Sequence, residues 1–328
     1  MRDDSLFQAF PDRPGFPRYT IDLVSPEAPS GAGWLANCFI ELGIPAWKPW
    51  NADDRTHWID LGGYRYRHRL DGSPWSRVMP ALADGRELHF REGEAVRVHH
   101  VWPAVYPRAE RTILFLRDPC DALHSAWHRQ RRSGTIAGDT DFGAFCASRF
   151  YHYPVAWADY LLLFLRVWHL ALRDFGGIVV SFEAYRRDAH ATLAGTLDRL
   201  AIHATAADIA RAVEASSLAR VHEAERNMLA AGVVTTELVR GEPPGDCLRE
   251  HGDSIGAIAR RFDEITSALR DPFYLRTGPV PTASAKHEAT ATALLQAIGK
   301  AGIPIDASGW LAGAVRACCG DIDLMPDA

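Results

Sequence analysis

Residues 112–132 read TILFLRDPCDALHSAWHRQRR, the segment of the sequence that says most about the fold. Its first five residues are apolar or β-branched, which is typical of a buried strand. Pro119 follows at a position where the first turn of a helix tolerates a missing N–H, so the sequence predicts that a helix begins there. Arg117 then lies at the carboxyl end of the strand, where open α/β sheets bind their ligands. Ser125 falls about two turns into the predicted helix.

An arginine and a serine that converge on one point suit a phosphate group, because they offer a fixed fork of donors and a hydroxyl. The Ser125 hydroxyl reaches the pocket near Arg117 if the helix points toward it. The alternative is that Arg117 and Asp118 form a salt bridge at the strand end and that Ser125 faces solvent. This stretch alone leaves both interpretations open, and the other segments favour the phosphate site.

A second candidate anion site lies near the start of the chain. Residues 19–24, YTIDLV, read as a strand, and residues 25–35, SPEAPSGAGWL, lead into an apolar helical run that ends near Gly43. Small residues at the start of a helix let backbone N–H groups point at an anion. The alternative is an ordinary surface loop. The sequence contains no GxxxxGK[ST] motif, which argues against an ATPase or GTPase.

Together these segments resemble the PAPS-dependent sulfotransferases, which transfer a sulfuryl group from 3′-phosphoadenosine 5′-phosphosulfate (PAPS). RDPxDxxxS resembles the family's 3′-phosphate-binding segment, and residues 30–34 resemble SGTTW of its 5′-phosphosulfate loop. The resemblance implies a P-loop-like α/β fold in which Arg117 and Ser125 hold the 3′-phosphate. It also implies that the donor's phosphosulfate lies against Ser30, Gly31, Ala32, Gly33 and Trp34. Pro29 stands where the family has a lysine that stabilises the bridging oxygen.

The segment VRVHHVWP, residues 96–103, resembles the family's KTH strand, whose histidine deprotonates the acceptor hydroxyl. The best alignment puts His100 on that histidine and His99 on the threonine, so His100 is the first candidate base and His99 the second. A neutral imidazole suits general-base work at neutral pH. The alternative is a pair of adjacent strand histidines, one packed and one exposed.

Two further segments follow in the family's order. Residues 179–185, VVSFEAY, resemble a strand ending in YED beside the adenine, with Phe182 in place of the tyrosine. Phe182 either offers its ring to the adenine or packs in the core. Residues 239–247, VRGEPPGDC, resemble RKGxxGDW, which implies that Arg240 and Gly241 wrap the 3′-phosphate. The resemblance covers residues 19–275.

The chain has 328 residues, of which 47% are hydrophobic, so it can bury a sizeable core. We expect one α/β domain with a short parallel sheet flanked by helices at residues 19–275. Residues 1–18 are predicted to be an N-terminal arm, and residues 276–328 a linker with a C-terminal helical extension.

Composition also restricts the partners. The net charge of −5 argues against nucleic acid. The start of the chain has no apolar signal region, and the apolar run 160–172 is too short to span a membrane. The six cysteines show no metal-ligand spacing. We therefore expect a cytoplasmic protein with reduced thiols, no metal and no membrane or nucleic-acid partner.

The functional hypothesis is sulfuryl transfer from PAPS to a hydroxyl, or less readily an amine, of a small-molecule acceptor, with release of 3′-phosphoadenosine 5′-phosphate (PAP). The alternative is a noncatalytic PAPS- or PAP-binding protein, because Pro29 replaces the usual lysine. Lys48 or an arginine is a candidate substitute for that lysine. Residues 64–69 alternate aromatic and basic side chains, which fits an exposed strand lining an acceptor cleft or a solvated hairpin. The sequence indicates neither the acceptor nor the oligomeric state.

Overall fold

The computed structural model describes residues 20–44, 46–47, 58–61, 64–67, 94–104, 109–230, 245–263, 285–300 and 309–325. Within these ranges, none of the helices combines the length and the apolar character that crossing a membrane requires. The predicted N-terminal arm, Lys48, Arg240 and Gly241 lie outside the described residues.

A parallel sheet forms the centre of the described fold. Its five strands have the order β2-β5-β1-β6-β7, and each neighbouring pair is parallel. The strands are β1 (Ile21–Val24), β2 (Ala46–Trp47), β5 (Val96–His99), β6 (Arg111–Leu116) and β7 (Ile178–Ser181). An antiparallel hairpin consists of β3 (Trp58–Leu61) and β4 (Tyr64–Arg67). The structure confirms the predicted α/β class, and residues 64–67 of the alternating aromatic and basic segment form β4 of this hairpin.

The helices follow the strands closely in sequence. They are α1 (Ala32–Glu41), α2 (Pro119–Arg132), α3 (Phe142–Ala147), α4 (Trp157–Phe175), α5 (Phe182–Arg187), α6 (Ala189–Arg199), α7 (Ala206–Ala215), α8 (Leu218–Ala230), α9 (Asp246–Arg261), α10 (Ala285–Lys300) and α11 (Trp310–Cys318). The helix predicted from Pro119 is confirmed. Phe182 begins a helix instead of ending a strand, because the Ser181 side chain accepts a hydrogen bond from the Ala184 N–H and caps α5.

Successive side chains of the strands pack into two separate hydrophobic cores, one on each face of the sheet. Ile113 and Phe115 of β6 pack on one face with α1, α6 and α7, whereas Leu114 and Leu116 pack on the other with α2, α3 and α4. Helices α10 and α11 contribute to the second core through residues such as Leu294. The division into a domain and a C-terminal extension stays a prediction, but these two helices share a core with the sheet.

Gly177 permits the tight return from α4 into β7. Its φ of +153° lies in the region that favours glycine, and an added Cβ would lie 2.2 Å from Leu172 Cδ2 and 2.9 Å from the Thr112 carbonyl oxygen. A side chain there would therefore push β7 away from β6. The glycine lets β7 pair with β6 and bring the start of α5 to the carboxyl edge of the sheet.

A buried ion pair joins the two strands at the middle of the sheet. Arg97 on β5 donates from Nε and Nη2 to the two carboxylate oxygens of Asp22 on β1, at 2.6 and 2.9 Å. His99 lies on the same face, with Nε2 3.5 Å from Asp22 Oδ1. The pKa of Asp22 falls to about 2, because the favourable interactions with His99 and Arg97 outweigh the burial that raises it. Burial lowers the pKa of His99, which favours its neutral form.

We expect Asp22→Asn to lower the free energy of unfolding by about 3–5 kcal/mol, because it leaves the buried Arg97 guanidinium without its counter-charge. The carboxylate stabilises the fold above its ordinary pKa of 3.8, and this contribution is lost as the pH falls toward about 2. Urea unfolding followed by circular dichroism at several pH values measures both effects. Asp198→Asn, at an exposed position of α6, is the matched control. Equal stability of the two variants at neutral pH would contradict this assignment.

Candidate functional site

Four chain segments meet at the carboxyl edge of the parallel sheet. Strands β5, β1, β6 and β7 are consecutive neighbours, so the residues that follow them share one edge. These residues are His100, Ser25, Arg117 and Phe182, respectively. The carboxyl edge of an open α/β sheet is the common location of a ligand site. All four segments that carry the sequence resemblance within the described residues therefore converge.

Arg117 and Ser125 are brought together as predicted. The Arg117 Nη1 donates to the Ser125 hydroxyl oxygen at 2.8 Å, and both residues are partly exposed. Asp118 caps α2, because its side chain accepts hydrogen bonds from the backbone N–H groups of Cys120 and Asp121 at 2.9 and 3.1 Å. Burial raises the pKa of Asp118. A guanidinium before the helix and a hydroxyl about two turns into it form a donor set that suits a phosphate.

The Phe182 ring links this pair to the loop after β1. The Arg117 guanidinium carbon lies 4.7 Å from the ring centroid, which is within the range of a cation–π contact. On the other side, a Cβ added at Gly31 would lie 2.6 Å from Phe182 Cδ2. Gly31 also has φ +88° and is the N-cap of α1. Glycine is required there by both its backbone conformation and the closeness of the ring.

The loop from Ser30 to Trp34 forms a helix N-terminus directed toward the same edge. Ala32 and Gly33 begin α1, whose first turn contains no acidic residue, so its positive end is not offset locally. The Ser30 hydroxyl lies 3.4 Å from the Ala32 nitrogen, which gives at most a long hydrogen bond. Pro29 precedes this turn and is partly exposed. The segment therefore offers backbone N–H donors to an anion, but it lacks the lysine ammonium that the sulfotransferases have at the position of Pro29.

Trp34 extends the aromatic surface from Phe182 through Tyr185. The Trp34 and Tyr185 rings stack with centroids 3.8 Å apart, and Phe182 meets Tyr185 edge-on at 5.9 Å. Burial raises the pKa of Tyr185 to about 12, so its phenol stays protonated at neutral pH. The sequence reasoning missed Tyr185. Its position three residues after Phe182 on the same helix was the available signal.

Glu183 joins α5 to the turn that carries Arg117. Its Oε1 accepts from the Asp118 backbone N–H at 2.8 Å, and burial raises its pKa. The contact fixes the end of β6 relative to the end of β7. Sequence reasoning assigned no role to Glu183, and the contact spans 65 residues of chain. No local pattern reveals such a long-range hydrogen bond.

Asp121 connects α2 to the segment that follows the predicted Arg240–Gly241 loop. Its carboxylate accepts from the backbone N–H of Gly245 at 2.6 Å and of Cys247 at 3.1 Å. Asp121 therefore caps the start of α9 from another helix. Gly245 adopts φ +86°, which turns the chain into that helix. The second aspartate of RDPxD thus positions the chain just after the predicted phosphate loop.

The two histidines have different surroundings. His99 is buried within β5, beside Asp22 and with its ring 5.9 Å from that of Trp168. His100 is partly exposed at the edge, and its Nδ1 lies 3.0 Å from both the carbonyl oxygen and the hydroxyl oxygen of Ser25. A carbonyl oxygen can only accept, so this contact assigns the proton to Nδ1 and leaves Nε2 as the basic nitrogen. Both predicted catalytic roles stay predictions.

Comparison with known proteins gives matches to solved structures only. The sequence matches no known family profile and no curated protein. The fold is similar to retinol dehydratase in complex with androsterone and the inactive cofactor PAP, with a TM-score of 0.48 and 16% identity over 79% of this chain and 82% of the other. It is also similar to the mouse sulfotransferase SULT7A1 complexed with PAP, with a TM-score of 0.48 and 17% identity over 83% and 95% of the two chains.

A second structure of retinol dehydratase, with retinol and PAP, matches with a TM-score of 0.47 and 15% identity over 84% of this chain and 88% of the other. At these identities and TM-scores the similarity carries no conclusion about function. The function is therefore inferred from the residues at the sheet edge.

We expect Asp121→Ala to lower the free energy of unfolding by about 1.5–3 kcal/mol, because two backbone N–H groups at the start of α9 lose a charged acceptor. Chemical unfolding measures this loss. Hydrogen exchange should also show faster exchange of the Gly245 and Cys247 amides than in wild type. Asp139→Ala, at an exposed loop position, serves as the control. Unchanged exchange at both amides would show that Asp121 does not hold this helix.

Proposed function

We propose that this chain is a PAPS-dependent sulfotransferase, which moves a sulfuryl group from PAPS to a hydroxyl, or less readily an amine, of a small-molecule acceptor and releases PAP. The observation that carries the proposal is the contact between Arg117 and Ser125 beside the helix that begins after Gly31. Two donor sets for anions share one sheet edge, and a nucleotide with phosphates at its 3′ and 5′ positions needs two such sets.

In this proposal Arg117 and Ser125 bind the 3′-phosphate, and the sequence resemblance adds Arg240 and Gly241 to the same group. Asp121 supports that assignment, because it anchors the residue that follows the loop carrying them. Phe182 lies between the two anion sites, where its ring can pack against the adenine. Trp34 supports the aromatic surface through Tyr185.

Bound PAPS supplies the sulfuryl group and the leaving phosphate. The role proposed for His100 is to accept the proton of the acceptor hydroxyl at Nε2, while Ser25 holds Nδ1 and orients the ring. The acceptor oxygen forms the new bond to sulfur as the bond from sulfur to the nucleotide oxygen breaks. The first-turn N–H groups of α1 face the negative charge that develops on that oxygen.

The second candidate function is a noncatalytic nucleotide-binding protein, because Pro29 stands where the sulfotransferases have a lysine. A proline ring offers no cation to the leaving oxygen, so charge stabilisation would fall to the helix N-terminus and to arginines. Arg129 of α2 reaches the same loop, with Nη2 3.9 Å from Glu27 Oε1, but the Glu27 carboxylate opposes its charge. The sulfotransferase and the noncatalytic nucleotide-binding protein would therefore share the nucleotide site and differ in whether they turn over PAPS.

Arg117→Ala should weaken PAP binding by about 10- to 150-fold, corresponding to about 1.5–3 kcal/mol, because one guanidinium–phosphate contact is lost. Binding of adenosine 5′-phosphate, which lacks the 3′-phosphate, should change little in the same variant. Calorimetry with both nucleotides measures the difference. The control is Arg132→Ala, because Arg132 is an exposed arginine in the last turn of α2. Equal losses for the two nucleotides would place the 3′-phosphate elsewhere.

His100→Ala should lower the rate of sulfuryl transfer by about 10²–10⁴-fold while PAP affinity stays unchanged, since a general base acts on the acceptor and not on the nucleotide. Labelled PAPS and a panel of hydroxyl and amine acceptors provide the assay, with His203→Ala as an exposed-histidine control. Full activity of His100→Ala would rule out this base. If the wild type binds PAP but transfers nothing to any acceptor, and the Pro29→Lys variant transfers nothing either, the result would favour the noncatalytic nucleotide-binding protein.

A further inference from the structure

Three histidines and one glutamate lie where α2 and α9 pack together. We call His124, His128, Glu250 and His251 the imidazole cluster. His124 and His128 are four residues apart and share one face of α2. Glu250 and His251 are consecutive on α9. The cluster therefore takes two possible ligands from each of two packed helices.

Three members of the cluster, His124, Glu250 and His251, have ligand atoms close enough together to hold one metal ion. The Nε2 atoms of His124 and His128 are 3.1 Å apart, and His124 Nε2 is 3.5 Å from Glu250 Oε2. His251 Nε2 is 3.9 Å from the same glutamate oxygen. A tetrahedral zinc site with bonds of about 2.0–2.1 Å has ligand atoms roughly 3.3–3.4 Å apart. His124, Glu250 and His251 each have a ligand atom within 4.8 Å of the other two, and His128 Nε2 lies beside this group through its contact with His124.

The surroundings of the cluster are apolar on the inside and open on one side. His124 is buried and lies against Trp127 and Phe142, with ring centroids 5.5 and 5.4 Å away. His251 also packs on Phe142, at 4.9 Å. The Glu250 side chain is 53% exposed, which leaves a route from solvent. An apolar shell behind the ligands and an open side in front are suited to binding an ion from solution.

We propose that the imidazole cluster binds one divalent ion of the zinc class and ties α2 to α9. His124, His251 and Glu250 supply two imidazole nitrogens and one carboxylate oxygen, which are ligands that zinc prefers. Rotation of the partly exposed His128 ring, which lies beside His124, would supply the fourth protein ligand that is typical of a structural site. Asp121 already joins the same two helices at the start of α9, one turn before His124 on α2. The ion would fix the helix pair at a second point.

This proposal replaces the expectation of no metal, which rested on cysteine spacing. The available signal was the His-x₃-His spacing of residues 124 and 128 within a predicted helix, because both rings then project from one face. The other two ligands come from a helix more than 120 residues later in the chain. The pattern becomes visible only when α2 packs against α9.

Calorimetric titration of the full chain with Zn²⁺, after removal of bound metal with a chelator and dialysis, tests the proposal. We expect one ion per chain, and the Co²⁺-loaded protein should show the visible absorption of a tetrahedral site. His128→Ala and His251→Ala should each weaken Zn²⁺ binding by more than about 100-fold, since loss of a ligand costs at least as much as loss of its supporting partner. His203→Ala, at an exposed position between α6 and α7, should bind like wild type.

Zn²⁺ should also raise the melting temperature of wild type but not of His128→Ala, because the ion stabilises only a fold that binds it. If a histidine variant does not fold, Zn²⁺ affinity and melting temperature can be compared between wild type and Glu250→Gln, because the Glu250 side chain is exposed. Absence of one-to-one binding by wild type, an octahedral Co²⁺ spectrum, or equal affinity in the ligand variants and His203→Ala would overturn the proposal.

Discussion

Parallel pairing of β5, β1, β6 and β7 is the constraint on which the candidate site depends. Four strands that run in the same direction end at the same edge, so segments that are far apart in sequence begin there together. Reversing one strand would move its following residue to the opposite edge. Gly177 preserves this arrangement on one side, since a side chain there would collide with Leu172 and with the Thr112 carbonyl.

The sheet combines a charged interior with a polar edge. Asp22 and Arg97 neutralise each other in the middle of adjacent strands, and His99 is kept neutral by burial. One residue later, His100 reaches the edge and contacts Ser25. Successive strand residues point to opposite faces, so the two adjacent histidines occupy different environments. This difference in surroundings is the reason that we propose His100 for proton transfer and assign His99 to the buried network.

Local patterns predicted the parts of the fold that depend on local physics. The apolar run before Arg117 and the proline after it indicate a strand and a helix start, because burial and the missing N–H act within a few residues. The pairing of Arg117 with Ser125 was also within reach, since both lie on one strand–helix unit. The small residues at positions 30–33, before the apolar helical run, indicated a helix N-terminus.

The remaining contacts depend on packing between distant segments. Asp121 binds amides 124 and 126 residues later, and Glu183 binds an amide 65 residues earlier. Tyr185 stacks on Trp34 only because α5 and α1 approach the same edge. The imidazole cluster has the same origin. A single sequence records the residue types of such contacts but not which segments meet.

A crystal structure of the chain with PAP would show where the two phosphates of the nucleotide bind. We expect the 3′-phosphate oxygens to lie within about 2.7–3.2 Å of the Arg117 guanidinium and the Ser125 hydroxyl, and the 5′-phosphate to lie at the N-terminus of α1. The adenine should lie beside Phe182. A nucleotide bound away from the carboxyl edge of the sheet, or bound in reverse with its 5′-phosphate on Arg117, would contradict the account.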